Sequence, residues 1–408
     1  MAEEVWMLQT KKADFKQIGA RFRIDPVTAR IIRNRGIEGE AAIDRYLNGT
    51  LDDLYDPMLL KDMERAVSIL CEAVDTGKKI RIVGDYDIDG VCSTYILLQA
   101  FERLGSDVDF EIPDRIKDGY GINESIIEQA HADGVAKKYG MTVVITDHHE
   151  VPLDGEKEKI PPEDAVIDPK QADCPYPFPE ICGAVVAYKL VQVLYARRGV
   201  PQMEWLDLLE FAAIATVGDV MKLQDENRIL VKYGLKKMAQ TKNLGLRRLA
   251  EKNNLDLGAI TAYHIGFVIG PCLNAGGRLK TAKEALALLR AQSEEEAERL
   301  AEELKELNDT RKDMTEQGTE AAKLQVESWY QKDKVLVVFL PECHESLAGI
   351  IAGRLREYYQ KPAIVLTRGE EAVKGSGRSI DEYHMFKKLT EVSDLLLKFG
   401  GHPLAAGL

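Results

Sequence analysis

Cysteine is scarce in this sequence, and no two cysteines form a closely spaced pair. The 408 residues include six cysteines, none of them in a CxxC arrangement, and Cys182 lies in the apolar stretch ICGAVVAYKL. Structural zinc sites and disulfide-stabilised folds need paired or regularly spaced cysteines. We therefore expect reduced thiols, as in a cytoplasmic protein.

Long apolar runs and an excess of positive charge are also missing. No stretch approaches the length of a membrane span, and the first residues, MAEEVWMLQTKK, contain no apolar signal-peptide core. These absences predict cytoplasmic localisation and no membrane partner. The net charge of −13 argues against a general polyanion-coating protein. It leaves a nucleic-acid enzyme open, because metal ions and a local basic groove can bind phosphate on an acidic protein.

Alternating strand and helix patterns predict an α/β fold for the first half of the chain. Between Lys78 and Asp168 the stretches KKIRIVGDY, VCSTYILLQAFERLG, DVDFEIPDR, MTVVITDHH and DAVIDP read as strand, helix and three further strands. This order predicts a parallel sheet covered by helices, and such sheets bind ligands beyond the carboxyl ends of their strands.

The second half predicts a long helix and a smaller domain. Residues 293–328 are highly charged, with an apolar stripe at Ala297, Leu300, Leu304 and Leu307. The stretches KVLVVFL, HESLAGIIAGRLREYY and KPAIVLT then read as strand, helix and strand. We therefore expect the long helix to join a second, smaller α/β domain to the first.

Three aspartates follow the first predicted strand at alternate positions. Asp85, Asp87 and Asp89 precede Gly90, which permits a sharp turn into a helix. A period of two would point the three side chains the same way, and carboxylates this close repel one another unless a cation neutralises them. The twelve-residue loop of an EF-hand is absent. A metal site and a solvated acidic turn both remain open for this run alone.

Two adjacent histidines follow another strand, which we expect to be buried. His148 and His149 come after Asp147, and an apolar helix in FAAIATVGDV delivers Asp219. A single histidine would fit a core position, but a pair at the end of a strand favours ligands. Carboxylates with imidazole suit Mn²⁺ or Mg²⁺ better than structural Zn²⁺. A cluster of this type supports two-metal hydrolysis of phosphate esters.

Glycine-rich stretches with a cation are candidate phosphate contacts. Arg278 follows GPCLNAGG, Arg378 follows KGSG, and His402 follows a pair of glycines. Arginine binds phosphate oxygens bidentately, and glycine lets backbone N–H groups approach them. We expect both arginines to follow flexible turns, although ordinary turns with surface arginines would have the same pattern.

Taken in order, DYDIDG, TDHHE, GDV and GGHPLAAG resemble the DHH phosphoesterase superfamily with its DHH-associated C-terminal domain. The connecting stretches GPCLNAGGRL, KGSGRSI and LLLKFGGHPLAAGL make the sequence similar to the RecJ single-strand-specific DNA exonucleases, from about Trp6 to the last residue. The resemblance implies a DHH domain over residues 1–290, a connecting helix over 291–330 and a truncated substrate-binding domain over 331–408.

The resemblance also implies roles for particular residues. The implied metal ligands are Asp85, Asp87, Asp89, His148 and Asp219. The implied catalytic residues are Asp89, His148 and His149, of which His149 orients the scissile phosphate or the attacking water. The implied substrate contacts and the residues that shape their loops are Asn274, Arg278, Ser376, Arg378, Gly400, Gly401 and His402.

The family activity implied is processive 5′→3′ removal of nucleotides from single-stranded DNA in repair and recombination, with two Mn²⁺ or Mg²⁺ ions. Single-stranded DNA is the implied partner, with a single-strand-binding protein and a helicase as further candidates. Two other functions stay open. One is an oligoribonuclease or cyclic-dinucleotide phosphodiesterase of the same superfamily, and the other is a non-catalytic DNA-binding scaffold.

The sequence departs from the family pattern in three places. An aspartate that bridges the two ions is expected before the histidines, but the interval around Gly134 and Ala136 has no strand to carry it, and Asp133 lacks that context. A segment missing from the sequence there is the favoured explanation. Cys272 stands where relatives often have arginine, which would remove a phosphate contact. An OB-type domain that would bind single strands is not found.

Overall fold

A computed structural model of the chain describes residues 11–114, 142–154, 157–161, 163–369 and 372–408. Within these ranges the chain divides into two compact units, one ending at Lys305 and the other running from Glu306 to Leu408. The α/β class predicted from the sequence is confirmed, whereas the boundaries predicted near residues 290 and 330 stay predictions. In the described ranges, no helix is both long and apolar enough to span a bilayer.

The first unit contains parallel strands among many helices. Its described elements are α1 (Phe15–Phe22), α2 (Pro26–Asn34), α3 (Glu40–Asn48), α4 (Met63–Asp75), β1 (Ile80–Val83), α5 (Ile88–Arg103), β2 (Val108–Glu111), β3 (Val144–Thr146), β4 (Leu153–Asp154), β5 (Lys157–Glu158), β6 (Ala165–Ile167), α6 (Gly183–Arg198), α7 (Gln202–Leu206), α8 (Leu209–Gly218), α9 (Asp225–Met238), α10 (Leu244–Lys252), α11 (Ala262–His264), α12 (Gly270–Leu279) and α13 (Lys283–Arg290). A π-helical turn, Ile265–Ile269, joins α11 to α12.

The parallel pairing predicted from the sequence is confirmed. Strand β1 pairs with β2, with Ile80 opposite Val108, and β3 pairs with β6, with Val144 opposite Ala165. Strand β6 is fully buried but β3 is only half-buried, so the expectation of a buried strand before the histidines was wrong. Residues after β1, β3 and β6 therefore lie at the carboxyl ends of parallel strands, where ligands bind in such folds.

Two apolar helices form much of the core that supports these strand ends. Helix α6 is buried continuously from Gly183 to Val191, and α8 from Leu209 to Thr216. Helices buried on all sides need partners all round, and α6 and α8 pack against α5 and against each other. The segments at the N-terminus of α5 and α6 and at the C-terminus of α8 are thereby held in fixed positions.

The second unit carries a five-stranded sheet within the described residues. Its elements are helix α14 (Glu294–Gln325), which begins in the first unit, then β7 (Leu336–Phe339), α15 (Glu345–Tyr359), β8 (Ala363–Arg368), β9 (Val373–Arg378), α16 (Met385–Thr390), β10 (Gly400–His402) and β11 (Ala405–Gly407). The strand order is β10-β11-β9-β8-β7, with β7 and β8 parallel and the other pairs antiparallel. The predicted strand, helix and strand and the long helix are confirmed.

Candidate metal centre and substrate contacts

Three side chains from three separate segments meet at the carboxyl ends of the parallel strands. Asp89, His148 and Asp219 each offer a ligand atom, and these atoms all lie within 4.8 Å of one another. His148 Nε2 is 3.3 Å from Asp89 Oδ2 and 3.9 Å from Asp219 Oδ2. We call these three residues the candidate metal group. The structure thus brings together three of the residues that the sequence predicted as ligands.

The position of Asp89 is fixed by the N-terminus of α6. The backbone N–H of Gly183 donates to Oδ2 and that of Ala184 donates to Oδ1, each at 2.8 Å. The first N–H groups of a helix lack partners within the helix and favour a negative charge. The two donors therefore orient both oxygens of a buried carboxylate. Sequence analysis did not identify Gly183 or Ala184 as part of the site.

Glycines allow the three segments to approach closely. A Cβ on Gly183 would lie 2.7 Å from Asp89 Oδ2, and a Cβ on Gly218 would lie 2.6 Å from Ile88 Cγ2. A Cβ on Gly90 would lie 2.4 Å from the carbonyl oxygen of Asp85. Real Cβ atoms are essentially never found this close to other atoms, so a larger residue at any of these positions would force a neighbouring group to move. The glycines before Asp219 and after Asp89 are thus needed for packing at the site.

Asp219 ends helix α8 in a Schellman motif. The N–H of Val220 donates to the carbonyl of Val217, and the N–H of Met221 donates to that of Thr216. Val220 adopts φ 58°, a left-handed conformation that glycine normally occupies and that strains a β-branched residue. It is also 87% exposed. A strained residue directly after a candidate ligand points to a local functional constraint.

Burial makes charge costly at this site. It raises the pKa of Asp89, and it raises the pKa of Asp219 to about 7, with the Asp89 and Asp87 carboxylates as further causes. Burial also lowers the pKa of His148, which favours the neutral imidazole that metal ions bind. A divalent cation would offset the repulsion between the carboxylates. The electrostatics of the protein alone therefore favour a bound cation.

The geometry of the group fits a hard divalent ion. Ligand atoms about 2.1 Å from such an ion lie roughly 3 Å apart when adjacent and roughly 4 Å apart when opposite. The separations of 3.3 and 3.9 Å from His148 Nε2 lie within this range. Two carboxylates and one imidazole, without a thiolate, suit Mn²⁺ or Mg²⁺. The residues present therefore fit the ion that the sequence predicted.

His149 lies beside the group and is held by Asp147. Its Nδ1 is 2.7 Å from Asp147 Oδ1, which also accepts the backbone N–H groups of His148 and His149. This hydrogen bond raises the pKa of His149 to about 9. The ring lies 4.4 Å from that of His148, centre to centre. Sequence analysis quoted Asp147 but gave it no role.

The structure corrects the geometric reason for grouping Asp85, Asp87 and Asp89. Strand β1 ends at Val83 and α5 begins at Ile88, so no continuous strand points the three carboxylates the same way. Asp87 caps α5 and accepts from the N–H of Gly90 at 2.9 Å, and Asp85 accepts from the N–H of Tyr86 at 2.8 Å. In the described part of the chain, neither belongs to the close group.

Asn274 and Arg278 lie one helical turn apart on α12. The sequence predicted Arg278 after a flexible turn, which is wrong because Gly276 and Gly277 are part of the helix. A Cβ on Gly277 would lie 2.4 Å from the carbonyl oxygen of Tyr86, so these glycines serve close packing against the acidic segment. Cys272 is fully buried in the same helix.

Ser376, Arg378 and the glycine–histidine segment lie in the second unit. The expectation that Arg378 follows a flexible turn is also wrong, because KGSGR belongs to strand β9. Its glycines pack against large side chains, and a Cβ on Gly377 would lie 2.4 Å from the sulfur of Met385. Arg378 Nη1 donates to Ser376 Oγ at 3.2 Å and to the carbonyl of Gly377 at 2.8 Å.

Gly400, Gly401 and His402 form the exposed strand β10, two strands away from β9 in the same sheet. Gly401 has φ 152°, and a Cβ on it would lie 2.3 Å from the carbonyl oxygen of Ala405. The predicted substrate contacts thus divide into one set in each unit. The interval around Asp133, where a bridging aspartate was expected, lies outside the described residues.

Parallel strands whose carboxyl ends carry acidic residues and two histidines, with a further domain that carries Arg378 and His402, define the DHH class of phosphoesterases. The chain matches the family model for the DHH family, N-terminal domain, over residues 79–216. It also matches the DHHA1 domain over residues 332–408. Both matches agree with the resemblance found in the sequence.

Curated relatives narrow this class. The chain is 36% identical over 424 residues to the single-stranded-DNA-specific exonuclease RecJ of Bacillus subtilis, with 99% of this chain and 52% of that protein covered. It is 34% identical over 428 residues to the enzyme of the same name from Haemophilus influenzae, with 96% and 73% covered. The chain therefore belongs to the RecJ family. It spans about half the length of the Bacillus subtilis relative.

Solved structures agree with this membership. The structure of Thermus thermophilus RecJ in complex with Mn²⁺ is similar with a TM-score of 0.78 and 31% identity, and 97% of this chain and 58% of that chain are covered. The structure of the same protein with Mg²⁺ gives a TM-score of 0.75 at 30% identity, with 96% and 55% covered. Both metals predicted for this chain are thus found in related structures.

Proposed function

We propose that this chain is the catalytic core of a metal-dependent exonuclease that removes nucleotides from the 5′ end of single-stranded DNA during repair and recombination. The observation that carries this proposal is the convergence of Asp89, His148 and Asp219 at the carboxyl ends of the parallel strands. The names of the RecJ relatives, which describe single-stranded-DNA-specific exonucleases, support this proposal. We place the protein in the cytoplasm.

Each residue of the site has a distinct proposed task. Asp89, His148 and Asp219 would hold a divalent ion, and Asp85 and Asp87 would complete a two-ion site. Bound ions would supply an activated water molecule and stabilise negative charge on the phosphate oxygens. His149, which Asp147 orients through Nδ1, would contact a phosphate oxygen with its other ring nitrogen.

The remaining predicted residues would bind the strand. Arg278 and Arg378 present guanidinium groups that match phosphate oxygens bidentately. Asn274 lies on the same helix face as Arg278, and Ser376 contacts Arg378 directly. Gly400, Gly401 and His402 form an exposed strand end that a phosphate can approach. Single-stranded DNA is the proposed partner, and a single-strand-binding protein and a helicase are proposed to supply it.

The test is digestion of single-stranded DNA labelled at one end, with Mn²⁺ or Mg²⁺, compared with duplex DNA and a short RNA. DNA labelled at its 5′ end should lose the label earlier than DNA labelled at its 3′ end. Asp89→Asn and His148→Ala should each abolish cleavage, whereas Asp107→Asn, at an exposed carboxylate, should cleave like the wild type. Activity in both site variants would refute the assigned site.

Two further outcomes separate the alternatives. Cleavage limited to very short RNA or to cyclic dinucleotides would replace the proposal with the oligoribonuclease or phosphodiesterase interpretation. Binding of single-stranded DNA without any cleavage would support the scaffold. The same assay at matched ionic strength decides among all three, because electrostatic binding to nucleic acid depends strongly on salt.

A further inference from the structure

Two large aromatic side chains lie exposed on the helical segment that leads into α12. Tyr263 is 63% exposed and Phe267 is 68% exposed. Their rings stack, with centres 4.8 Å apart and planes inclined by 28°. Ile265 and Ile269, on the opposite face of the same segment, are fully buried. The buried face anchors the segment, so the aromatic pair is not needed for the core.

This segment is packed against the elements that carry the candidate metal group. A Cβ on Gly266 would lie 3.6 Å from Val217 Cγ1, and Val217 is two residues before Asp219. At the other end of the segment, a Cβ on Gly270 would lie 3.3 Å from Ile88 Cδ1, between Asp87 and Asp89. The aromatic pair is therefore held by the same two elements that position Asp89 and Asp219.

The shape of the segment is also unusual. Residues Ile265–Ile269 form a π-helical turn directly between Tyr263 and the start of α12. Such turns are rare and occur frequently at functional sites. Here the turn includes Phe267, one of the two exposed rings. A feature that stabilised only the helix would not need this irregularity.

Flat rings of this kind match the faces of unpaired bases. Stacking of a base on an aromatic side chain strengthens binding by roughly 5- to 150-fold and tolerates any base sequence. In duplex DNA each base face is covered by its neighbours, so a duplex cannot offer the same contact.

We propose that Tyr263 and Phe267 form a stacking platform for unpaired bases of the DNA strand whose end is held at the candidate metal group. The inference rests on the proposed function, because it takes single-stranded DNA as the substrate. It adds a reason for single-strand preference that the metal site by itself does not supply.

The platform is tested by binding of a fluorescent oligothymidylate to the full chain in EDTA, which prevents cleavage. Tyr263→Ala and Phe267→Ala should each raise the Kd about tenfold. The double variant should raise the Kd further. Tyr263→Phe keeps the ring and should bind like the wild type, whereas Phe267→Leu, which keeps only apolar bulk, should bind like Phe267→Ala. Trp329→Ala, at a ring that is 72% exposed in the second unit, is the matched control and should not change the Kd.

An oligonucleotide of the same length with abasic residues supplies the discriminating readout. The wild type should bind it more weakly, and the alanine variants should lose no further affinity. Unchanged affinity of the alanine variants for oligothymidylate, or an equal loss on both oligonucleotides, would overturn the platform.

Failure of the platform and failure of the proposed function remain distinguishable. A wild-type protein that hydrolyses no phosphodiester but shows the expected losses in binding would refute the function and support the platform. A wild-type protein that degrades single-stranded DNA, with alanine variants that bind as it does, would refute the platform alone.

Discussion

Gly183 is the position where a single added methyl group should damage the metal site most directly. A Cβ at this residue would lie 2.7 Å from Asp89 Oδ2 and 3.5 Å from His148 Cδ2. Ordinary contact begins at 3.4 Å, so the carboxylate or the helix end must move by about 0.7 Å. Metal-ligand distances tolerate deviations of only about 0.2 Å. Gly183→Ala should therefore displace a ligand without removing it.

The magnitude follows from the contacts that are lost. Asp89 accepts two backbone N–H groups at 2.8 Å, and losing a partner that orients a metal ligand costs about 10- to 100-fold in metal affinity. We expect Gly183→Ala to weaken Mn²⁺ binding by that factor and cleavage of single-stranded DNA by at least as much. Losing one hydrogen bond to a charged group would also cost about 1.5–3 kcal/mol of folding stability.

The affinity for Mn²⁺ is measured by isothermal titration calorimetry. The free energy of unfolding is measured by urea denaturation in EDTA. Gly266→Ala is the matched control, because a Cβ there would lie 3.6 Å from Val217 Cγ1, in ordinary contact. It should retain wild-type Mn²⁺ affinity. A Gly183→Ala variant that is folded and binds Mn²⁺ with the wild-type Kd would refute the reasoning.

Three further predictions concern other parts of the chain. Burial raises the pKa of Glu210 from 4.5 to about 7, so the folded state binds the extra proton and stability should fall by about 3 kcal/mol from pH 4.5 to above pH 7. Glu210→Gln should remove this contribution of about 3 kcal/mol from the pH dependence measured by urea denaturation, and a pH dependence identical to that of the wild type would contradict the assignment. Lys189 Nζ lies 3.0 Å from Glu226 Oε2 with both side chains fully buried. Lys189→Met should lower the free energy of unfolding by about 3–5 kcal/mol, and adding Glu226→Gln should restore most of that loss. A Lys189→Met variant that loses under about 1 kcal/mol would show that the ion pair does not stabilise the fold. A Cβ on Gly349 would lie 2.9 Å from Arg378 Nη2 and from Ser376 Oγ, so Gly349→Ala should displace the guanidinium and weaken single-stranded DNA binding about tenfold at unchanged stability. Gly353→Ala, whose Cβ would lie 4.0 Å from Arg378 Cγ, is its control, and equal binding by the two variants would refute a role for Arg378.

Local patterns predicted those parts of the fold that depend on local forces. Strands β1, β2, β3 and β6 and helix α5 lie where apolar runs and helical periodicity placed them, because these patterns reflect the local backbone conformation. His148 and Asp219 were found because each ends an element whose pattern is clear. These two members of the candidate metal group could be selected from the sequence for this reason, whereas Asp89 was grouped by a strand geometry that the structure does not have.

Contacts between distant segments could not be predicted in the same way. The hydrogen bond from Gly183 to Asp89 joins residues 94 positions apart, and nothing in ICGAVV signals it. The glycines near Arg278 and Arg378 suggested turns, yet they lie in a helix and a strand. These positions are glycine because neighbouring atoms leave no room for a Cβ. Strand β1 ends at Val83, before the three aspartates, so the strand geometry that had grouped them is absent.

Val220 has a consequence for engineering of this protein. Glycine at this left-handed position would relieve roughly 1 kcal/mol of backbone strain. A selection for heat resistance would therefore favour replacement of Val220 early, at a residue adjacent to Asp219. The same replacement would free the backbone next to a candidate ligand, so a more heat-resistant enzyme obtained in this way would risk holding its metal less rigidly.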